Sequence, residues 1–330
     1  MCPSGRSPPE MPPQLQPLRG IIPPMITPLS EADTLDHHGL ERLIEHILAG
    51  AVHGLFILGT TGEGPSLSSR LRRELISLVC DQVAGRVPVL VGITDTSWAE
   101  SVSLARHAHQ AGAAALVVAP PPYFATTQQE LLGYLGRLAA SVPLPVFLYN
   151  MPVHTKVFIE AETVVAAAEI PGIIGLKDSS GQMAYFHTVR SLLAERPDFS
   201  LLVGPEELLA ETILLGGHGG VNGGANLFPH LYVNLYQAAL AGDLPATRAW
   251  HEKIIFLSRR LYTIGKRGSS MLGGLKGALA LRGICSETLA EPLAGFSTQE
   301  RALLAERLRE VEAYGEYPHL SARPRWLVSR

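Results

Sequence analysis

The strongest constraint on the fold is a regular alternation between short apolar runs and longer stretches of helical period. Each run is apolar on both faces, which is typical of a parallel strand buried within a sheet. Between the runs, apolar residues recur every three or four positions, as in a helix that covers a sheet. Eight such units predict a closed (β/α)8 barrel of the α/β class. The runs lie at residues 21–26, 54–58, 87–91, 115–118, 146–149, 173–177, 201–203 and 220–221.

The domain boundaries follow from where this alternation begins and ends. We place the barrel at residues 19–242 and a C-terminal helical extension at residues 243–313, where only helical period remains. The proline-rich residues 1–18 are predicted to form a flexible arm, and residues 314–330 a loosely attached tail. A doubly wound open sheet is the alternative fold. It requires a glycine fingerprint after the first strand, where residues 23–25 are two prolines and a methionine.

Composition argues against several classes of partner. The formal net charge is −3 and no block of basic residues is present, so we predict no nucleic-acid partner. No apolar run approaches the ~20 residues that span a membrane, and the N-terminus lacks the apolar region of a signal peptide. The three cysteines, Cys2, Cys80 and Cys285, show neither metal-ligand spacing nor a disulfide framework. We therefore predict a cytoplasmic protein with free thiols and no membrane partner.

A lysine stands at the end of the sixth apolar run. Residues 171–176 read Pro-Gly-Ile-Ile-Gly-Leu, and Lys177 is followed by Asp178 and two serines. A buried ammonium without a partner is unfavourable, so such a lysine tends to lose its proton. The neutral amine is then a nucleophile for carbonyl carbons, which is the first requirement of Schiff-base chemistry. A side chain that extends to solvent from the strand end is the alternative interpretation.

Polar residues follow other runs at the same end of the barrel, where (β/α)8 enzymes form their sites. Residues 59–64, Gly-Thr-Thr-Gly-Glu-Gly, follow the second run, and their hydroxyl and N–H groups suit a carboxylate or a phosphate. A capped glycine turn would explain them equally. Tyr149 ends the fifth run, beside Lys177, where it could transfer protons during imine formation or simply cap the core.

Two further segments follow predicted strands. Tyr123 and Phe124 come after three prolines that follow the fourth run, which predicts aromatic side chains at the rim of the site or at a subunit contact. Residues 219–226 contain four glycines, so the backbone there can approach a ligand or Lys177 closely.

The other histidines and lysines do not indicate a site. No carboxylate pattern accompanies the helical histidines, so we predict solvated helix faces and no metal. These histidines are His37, His38, His46, His107 and His109. Four lysines in polar or helical settings, Lys156, Lys253, Lys266 and Lys276, are predicted to lie on the surface.

In combination, four of these segments resemble the dihydrodipicolinate synthase / N-acetylneuraminate lyase family. The segments are residues 59–63, 122–124, 148–152 and 175–178, and the match extends in order from about residue 20 to residue 311. The resemblance implies class I, Schiff-base chemistry on pyruvate and an aldehyde, on a (β/α)8 barrel without a metal or other cofactor. It also implies a homotetramer built from two dimers.

The resemblance also implies a role for each matching residue. Lys177 would form the imine with the keto carbon, Tyr149 would act as general acid and base, and Thr60 would extend that proton relay. Gly59 and Thr61 would hold the substrate carboxylate, and the carbonyl of Val221 would face the lysine. His154, Asn222, Ser179 and Gly223 are predicted to line the acceptor side of the substrate, and Tyr123 is predicted to line the site.

Two positions depart from the pattern of the synthases and bear on the substrate. Phe124 stands where a second tyrosine usually completes the proton relay, and a phenyl ring carries no proton. His154 stands where the synthases usually have an arginine for the second substrate's carboxylate, and a histidine is a poor bidentate replacement. Residues 176–181 look more like the branches that act on 2-keto-3-deoxy sugar acids or 4-hydroxy-2-oxoglutarate.

We therefore predict a lyase that cleaves or forms such 2-keto acids through pyruvate. Three alternatives remain open at this stage. The protein is otherwise a dihydrodipicolinate synthase that condenses pyruvate with aspartate semialdehyde, or a dehydratase of keto-deoxy sugar acids. A non-catalytic binder of 2-keto acids is the third alternative, and loss of the lysine or tyrosine would have favoured it.

Overall fold

The computed structural model describes residues 17–315 of the chain. The predicted arm at residues 1–18 and the predicted tail at residues 314–330 therefore lie almost entirely outside the described residues. Leu18, at the end of the predicted arm, is buried, and its N–H donates to the Ser200 hydroxyl at 2.8 Å. The barrel thus includes the chain from at least this residue onward.

Eight parallel strands form the barrel, and the prediction of a (β/α)8 fold is confirmed. The strands are β1 (Gly20–Ile21), β4 (Leu55–Ile57), β5 (Val89–Gly92), β6 (Ala115–Val118), β7 (Val146–Asn150), β8 (Ile173–Asp178), β9 (Ser200–Val203) and β10 (Gly219–Gly220). Between β1 and β4, the strands β2 (Leu29–Glu31) and β3 (Thr34–Leu35) form a separate antiparallel pair.

Closure of the barrel distinguishes this fold from an open sheet. β1 pairs with β10 on one side, and on the other side Pro24 pairs in parallel with Phe56 of β4. Met25 donates its N–H to the Phe56 carbonyl at 2.8 Å, which completes the ring of backbone hydrogen bonds. Gly219 lacks a side chain at this seam because a Cβ there would overlap the backbone of Gly20.

Helices alternate with the strands and surround the barrel. They are α1 (His37–Leu48), α2 (Ser69–Val83), α3 (Trp98–Gln110), α4 (Gln128–Ser141), α5 (Pro152–Thr155), α6 (Ala161–Ala168), α7 (Met183–Leu192), α8 (Leu209–Leu214) and α9 (Pro229–Leu240). Side chains fix several starts: Ser68 caps α2, and Thr127 forms a capping box with Glu130 at α4. These caps satisfy N–H groups that have no partner within the helix.

Alternation along each strand divides the apolar side chains into two layers. Phe147 and Tyr149 of β7 join a cluster in the barrel interior, whereas Val146 and Leu148 pack against the surrounding helices. Tyr149 is in register with Lys177 of β8, so both side chains point to the same face of the sheet. The barrel geometry thus directs the candidate lysine inward.

The C-terminal extension consists of α10 (Leu244–Leu261), α11 (Ser270–Leu281) and α12 (Thr298–Gly315). α11 is largely buried, and Lys276 within it is completely buried. The prediction of a surface lysine at this position is therefore wrong. Glu63, which lies more than 200 positions earlier in the chain, compensates its charge.

Candidate active site

Lys177 lies at the end of β8 and is 5% exposed. Its Nζ atom lies 4.1 Å from the ring centroid of Tyr149 and 4.8 Å from that of Phe56. Burial lowers the pKa of Lys177, and the Tyr149 hydroxyl only partly opposes this change. Among residues 17–315, no carboxylate acts on this pKa. The amine is therefore more readily neutral than an ordinary lysine, as a nucleophile for a keto carbon must be.

Tyr149 connects the lysine to the loop that follows β4. Its hydroxyl lies 3.1 Å from the Thr60 hydroxyl, and either group can donate in this hydrogen bond. The tyrosine is 6% exposed and its ring lies edge-on to Phe56 at 6.3 Å. The structure thus brings together Lys177, Tyr149 and Thr60, the three residues predicted to carry the chemistry. A proton can pass between the last two without movement of either side chain.

The loop at residues 59–64 is held in a specific backbone conformation. Leu58, directly before the loop, and Glu63, near its end, have positive φ values of 60° and 55°. These values lie in a region that non-glycine residues rarely adopt. Gly59 is required by a close approach, because a Cβ there would overlap the ring of Phe56. Since that ring also contacts Lys177, a side chain at position 59 would disturb the lysine as well. Thr61 is half-buried in the same loop.

A buried network joins the ends of β7 and β8 directly beside Lys177. Asn150 donates through Nδ2 to the Asp178 carboxylate at 2.9 Å, and its own oxygen accepts the Ile159 N–H at 3.1 Å. Ser180 donates to the same carboxylate through both its N–H and its hydroxyl. Burial raises the pKa of Asp178, and these hydrogen bonds oppose the rise. The network fixes the strand end that carries the lysine.

The glycine-rich segment after β10 is held by buried polar side chains. Val221 is buried in the barrel interior and donates its N–H to the Val203 carbonyl at 2.8 Å. Asn222 is completely buried and donates through Nδ2 to the Gly204 carbonyl at 3.0 Å. Within residues 17–315, the buried side-chain oxygen of Asn222 has no hydrogen-bond partner.

Glu206 is a buried acid that the sequence analysis missed. Its carboxyl group accepts the Gly224 N–H at 2.8 Å and the Tyr232 hydroxyl at 2.7 Å. Burial raises the pKa of Glu206 to about 7, and Glu207 adds to this effect. The signal in the sequence was a pair of glutamates, Glu206 and Glu207, that begins three positions after the seventh apolar run ends.

The structure does not bring two of the predicted substrate-side residues, Tyr123 and His154, to the lysine. Tyr123 and Phe124 are 89% and 78% exposed and contact one another, with ring centroids 5.0 Å apart. His154 is exposed on α5, and both partial burial and Lys156 lower its pKa. In the described part of a single chain, no hydrogen bond or ring contact links these side chains to Lys177 or Tyr149. Their roles remain predictions.

Two other features, a metal cluster and a membrane-spanning helix, are absent from residues 17–315. Within that range, no three histidine, cysteine, aspartate or glutamate side chains are grouped so that they could hold a metal ion. The same residues include no helix with both the length and the apolar character needed to cross a membrane.

The chain matches known proteins over most of its length. A profile of the dihydrodipicolinate synthetase family matches residues 17–311. The 4-hydroxy-tetrahydrodipicolinate synthase of Aromatoleum aromaticum is 34% identical over 293 residues, which cover 88% of this chain and 98% of that protein. The match thus includes the barrel and nearly all of the C-terminal extension.

Solved structures of the same family also align with this chain. Dihydrodipicolinate synthase from Bacteroides thetaiotaomicron aligns with a TM-score of 0.87 at 54% identity, covering 89% of this chain and 99% of that one. A prophage protein of the dihydrodipicolinic acid synthase family from E. coli, solved with pyruvate, aligns with a TM-score of 0.84 at 32% identity and the same coverage. The resemblance found in the sequence is confirmed. The chain belongs to the dihydrodipicolinate synthetase family and is a lyase of the class I aldolase type.

Proposed function

We propose that Lys177 forms a Schiff base with the keto carbon of pyruvate or a related 2-keto acid. The observation that carries this proposal is the lysine's environment: it is buried, its pKa is lowered, and no carboxylate of residues 17–315 acts on it. Tyr149, whose hydroxyl is hydrogen-bonded to that of Thr60, lies against the lysine. The imine serves as an electron sink for breaking or forming a neighbouring carbon–carbon bond.

The reaction sequence uses these groups in turn. The neutral amine adds to the keto carbon, the keto oxygen takes up protons, and water leaves as the protonated imine forms. In the cleavage direction, the bond between C3 and C4 breaks, its electrons move to the imine as an enamine, and an aldehyde departs. The enamine takes a proton at C3, and water releases pyruvate and the free lysine. Tyr149 delivers and removes the protons, and Thr60 extends its hydrogen-bonded path.

We assign substrate binding to the loops on either side of the lysine. Gly59 and Thr61 would hold the carboxylate through backbone N–H groups and a hydroxyl, and the Val221 carbonyl would face the imine nitrogen. The half-buried position of Thr61 and the buried position of Val221 support these roles. Asn222, which follows Val221 in the same buried segment, would lie on the acceptor side.

The acceptor is the least constrained part of the proposal. We favour 2-keto-3-deoxy sugar acids or 4-hydroxy-2-oxoglutarate, because residues 176–181 look more like the branches that act on them. Of the two, His154 favours the sugar acids, since its lowered pKa keeps it neutral near pH 7 and only 4-hydroxy-2-oxoglutarate has a second carboxylate. A neutral imidazole makes no charge-assisted bond to a second carboxylate. Dihydrodipicolinate synthase activity is the second candidate, and the names of the relatives favour it.

Trapping of the imine tests the core of the proposal. The protein is incubated with pyruvate, reduced with borohydride, and digested for peptide mass spectrometry. We expect the added mass on Lys177 alone. Absence of any adduct with pyruvate and with longer 2-keto acids would contradict the catalytic role and favour a non-catalytic binder.

An acceptor series then separates the activities. We expect pyruvate to condense efficiently with hydroxyaldehydes or glyoxylate and slowly with aspartate semialdehyde. Efficient condensation with aspartate semialdehyde alone would identify a synthase instead. Loss of water from a keto-deoxy sugar acid without carbon–carbon cleavage would identify a dehydratase.

Three further features complete the proposal. The imine itself is the electron sink, so we propose that the reaction uses no additional cofactor. We propose a homotetramer, a dimer of dimers, in which the exposed Tyr123 and Phe124 are covered, and light scattering would measure its mass. We also propose a cytoplasmic location, which the free buried thiols of Cys80 and Cys285 support.

A further inference from the structure

A buried ion pair connects the loop of the candidate site to the C-terminal extension. The side chains of Glu63 and Lys276 are both completely buried, and the ammonium contacts the carboxylate directly. The second carboxylate oxygen of Glu63 accepts the Ala290 N–H at 2.7 Å. Lys276 also donates to the Thr288 carbonyl at 2.6 Å. We call these four groups the Glu63–Lys276 clamp.

The clamp acts on the residues that face Tyr149. The N–H of Glu63 donates to the Thr60 carbonyl at 3.0 Å, and the N–H of Gly64 donates to the Gly59 carbonyl at 3.2 Å. A displacement of the Glu63 backbone therefore moves Thr60, whose hydroxyl lies 3.1 Å from that of Tyr149. A short chain of hydrogen bonds thus leads from α11 to the group proposed to transfer protons.

The loop needs an anchor of this kind. Glu63 has a φ value of 55°, which a residue with a side chain adopts only where its surroundings enforce it. Thr60 and Thr61 are half-buried and contribute little apolar packing of their own. The Thr27 hydroxyl, which lies outside the loop, donates to the Gly62 carbonyl at 2.6 Å and fixes only the middle of the loop.

The chemistry of the anchor indicates position rather than stability. Two charges removed from water gain little net stability, and apolar residues of similar volume often stabilise a fold as well or better. Hydrogen bonds at both ends of the pair do, however, fix one geometry, because each bond is directional. Two of the three contacts of the clamp end on Glu63 of the site loop, and the third holds Lys276 within the extension.

We propose that the Glu63–Lys276 clamp positions Thr60 and Thr61 for catalysis, which makes the C-terminal extension part of the site's machinery. Glu63 and Lys276 are positioning residues, since neither contacts the reacting lysine or tyrosine in the described hydrogen bonds and ring contacts. The effect on pyruvate rests on the function proposed above. The effect on the loop does not.

The test uses the double variant Glu63→Gln/Lys276→Met, which removes both charges together and keeps the side-chain volumes. The introduced amide is not left beside an unpaired ammonium, and its oxygen can still accept the Ala290 N–H. The matched control is Lys253→Met, because Lys253 also donates to a backbone carbonyl of the extension, that of Gly315, at 2.8 Å. Circular dichroism selects conditions in which all proteins are folded.

Hydrogen–deuterium exchange measures the loop without reference to any reaction. We expect amides of residues 59–64 to exchange at least tenfold faster in the double variant, with β8 unchanged and with no change in Lys253→Met. Equal protection of the loop in the double variant and the wild type would overturn the proposal. So would equal acceleration in the control, since that would indicate general loosening of the extension.

Imine trapping over a range of pyruvate concentrations gives the second measurement. We expect the half-saturating concentration to rise at least tenfold in the double variant, because Thr61 no longer meets the carboxylate, while the adduct still forms on Lys177. Unchanged half-saturation with an altered loop would overturn the catalytic part. If wild-type protein forms no imine, the proposed function fails, whereas the exchange result still decides whether the clamp holds the loop.

Discussion

The two buried lysines, Lys177 and Lys276, show how differently one side chain behaves in two environments. Lys177 lies against aromatic rings, whereas Lys276 lies against the carboxylate of Glu63 and a backbone carbonyl. Burial lowers the pKa of both, but only at Lys276 does a carboxylate of the described residues oppose the change. Burial alone therefore does not make a lysine nucleophilic. A buried lysine is nucleophilic where no counter-charge lies nearby, because burial then favours the neutral amine over the ammonium.

Glu206 extends the comparison to an acid. Like Lys177, it is buried without a partner of opposite charge among residues 17–315, and neutral donors surround it. Its pKa is raised, so near pH 7 it is partly protonated. Groups without a partner of opposite charge thus move toward neutrality whatever the sign of their charge, whereas a carboxylate opposes that change at Lys276. Substitutions on each side of this distinction give measurably different results.

The same substitution at the two lysines gives the largest contrast. Lys177→Met abolishes the pyruvate adduct, since no amine remains, and raises the free energy of unfolding, since an unpaired polar group leaves the core. The gain shrinks as the pH rises toward the ordinary lysine pKa of about 10, where the unfolded chain also loses its proton. Intact-mass analysis and urea unfolding measure both effects. A less stable Lys177→Met variant at neutral pH would contradict the comparison.

Lys276→Met has the opposite effect on stability. It leaves the Glu63 carboxylate buried without its partner, and breaking a buried pair in this way costs about 3–5 kcal/mol. Urea unfolding at pH 7 measures the loss. The double variant with Glu63→Gln recovers most of it, because no charge is then left unpaired. A loss in Lys276→Met below about 1 kcal/mol would show that the pair is not needed to keep Glu63 satisfied.

Glu206→Gln alters the dependence of stability on pH. Between about pH 4.5 and about 7, folded wild type keeps a proton that the unfolded chain loses, so its free energy of unfolding falls as the pH rises. The shift corresponds to about 3 kcal/mol. The variant lacks this dependence, so its stability relative to wild type grows by that amount across this range and then stays level. Exposed Glu195→Gln is the control, and a constant difference in Glu206→Gln would refute the raised pKa.

Thr60→Val has the smallest expected effect, and it concerns the surroundings of Lys177 and not those of Lys276. Valine has nearly the same shape but cannot hydrogen-bond the Tyr149 hydroxyl. One neutral hydrogen bond is worth about 0.5–1.5 kcal/mol, so we expect imine formation to slow up to about tenfold. Thr188→Val, on exposed helix surface, is the control. Rapid-quench borohydride trapping measures the rate, and an unchanged rate would remove Thr60 from the proton path.

Local pattern was enough to predict the barrel and the neighbouring positions of Tyr149 and Lys177, but it left the direction of the Lys177 side chain open. Strands and helices follow from the periodicity of apolar residues, and parallel strands place Tyr149 beside Lys177. The clamp was not predictable in this way. Glu63 lies more than 200 positions before Lys276 and Ala290, and the sign of a charge alone does not indicate its partner. A local signal did exist at Lys276: it stands in a helix that is apolar all round, where a surface lysine is out of place.

Tyr123 and His154 show the other limit. Their predicted roles came from the resemblance to the family, yet both side chains are exposed in one chain. A strand end fixes where a backbone goes but not where the side chains of the following loop point. A second subunit or a bound substrate is needed to define their contacts.

The bond between Glu63 and Ala290 spans 227 positions of the chain, and this separation has a consequence for synthesis. A ribosome that adds about 5–20 residues per second needs roughly 10–45 s to travel from one partner to the other. Throughout that interval the nascent barrel holds a carboxylate in its site loop without the groups that satisfy it. Completion of the site is therefore delayed until almost the whole chain has been made, and a prematurely ended chain lacks a finished site.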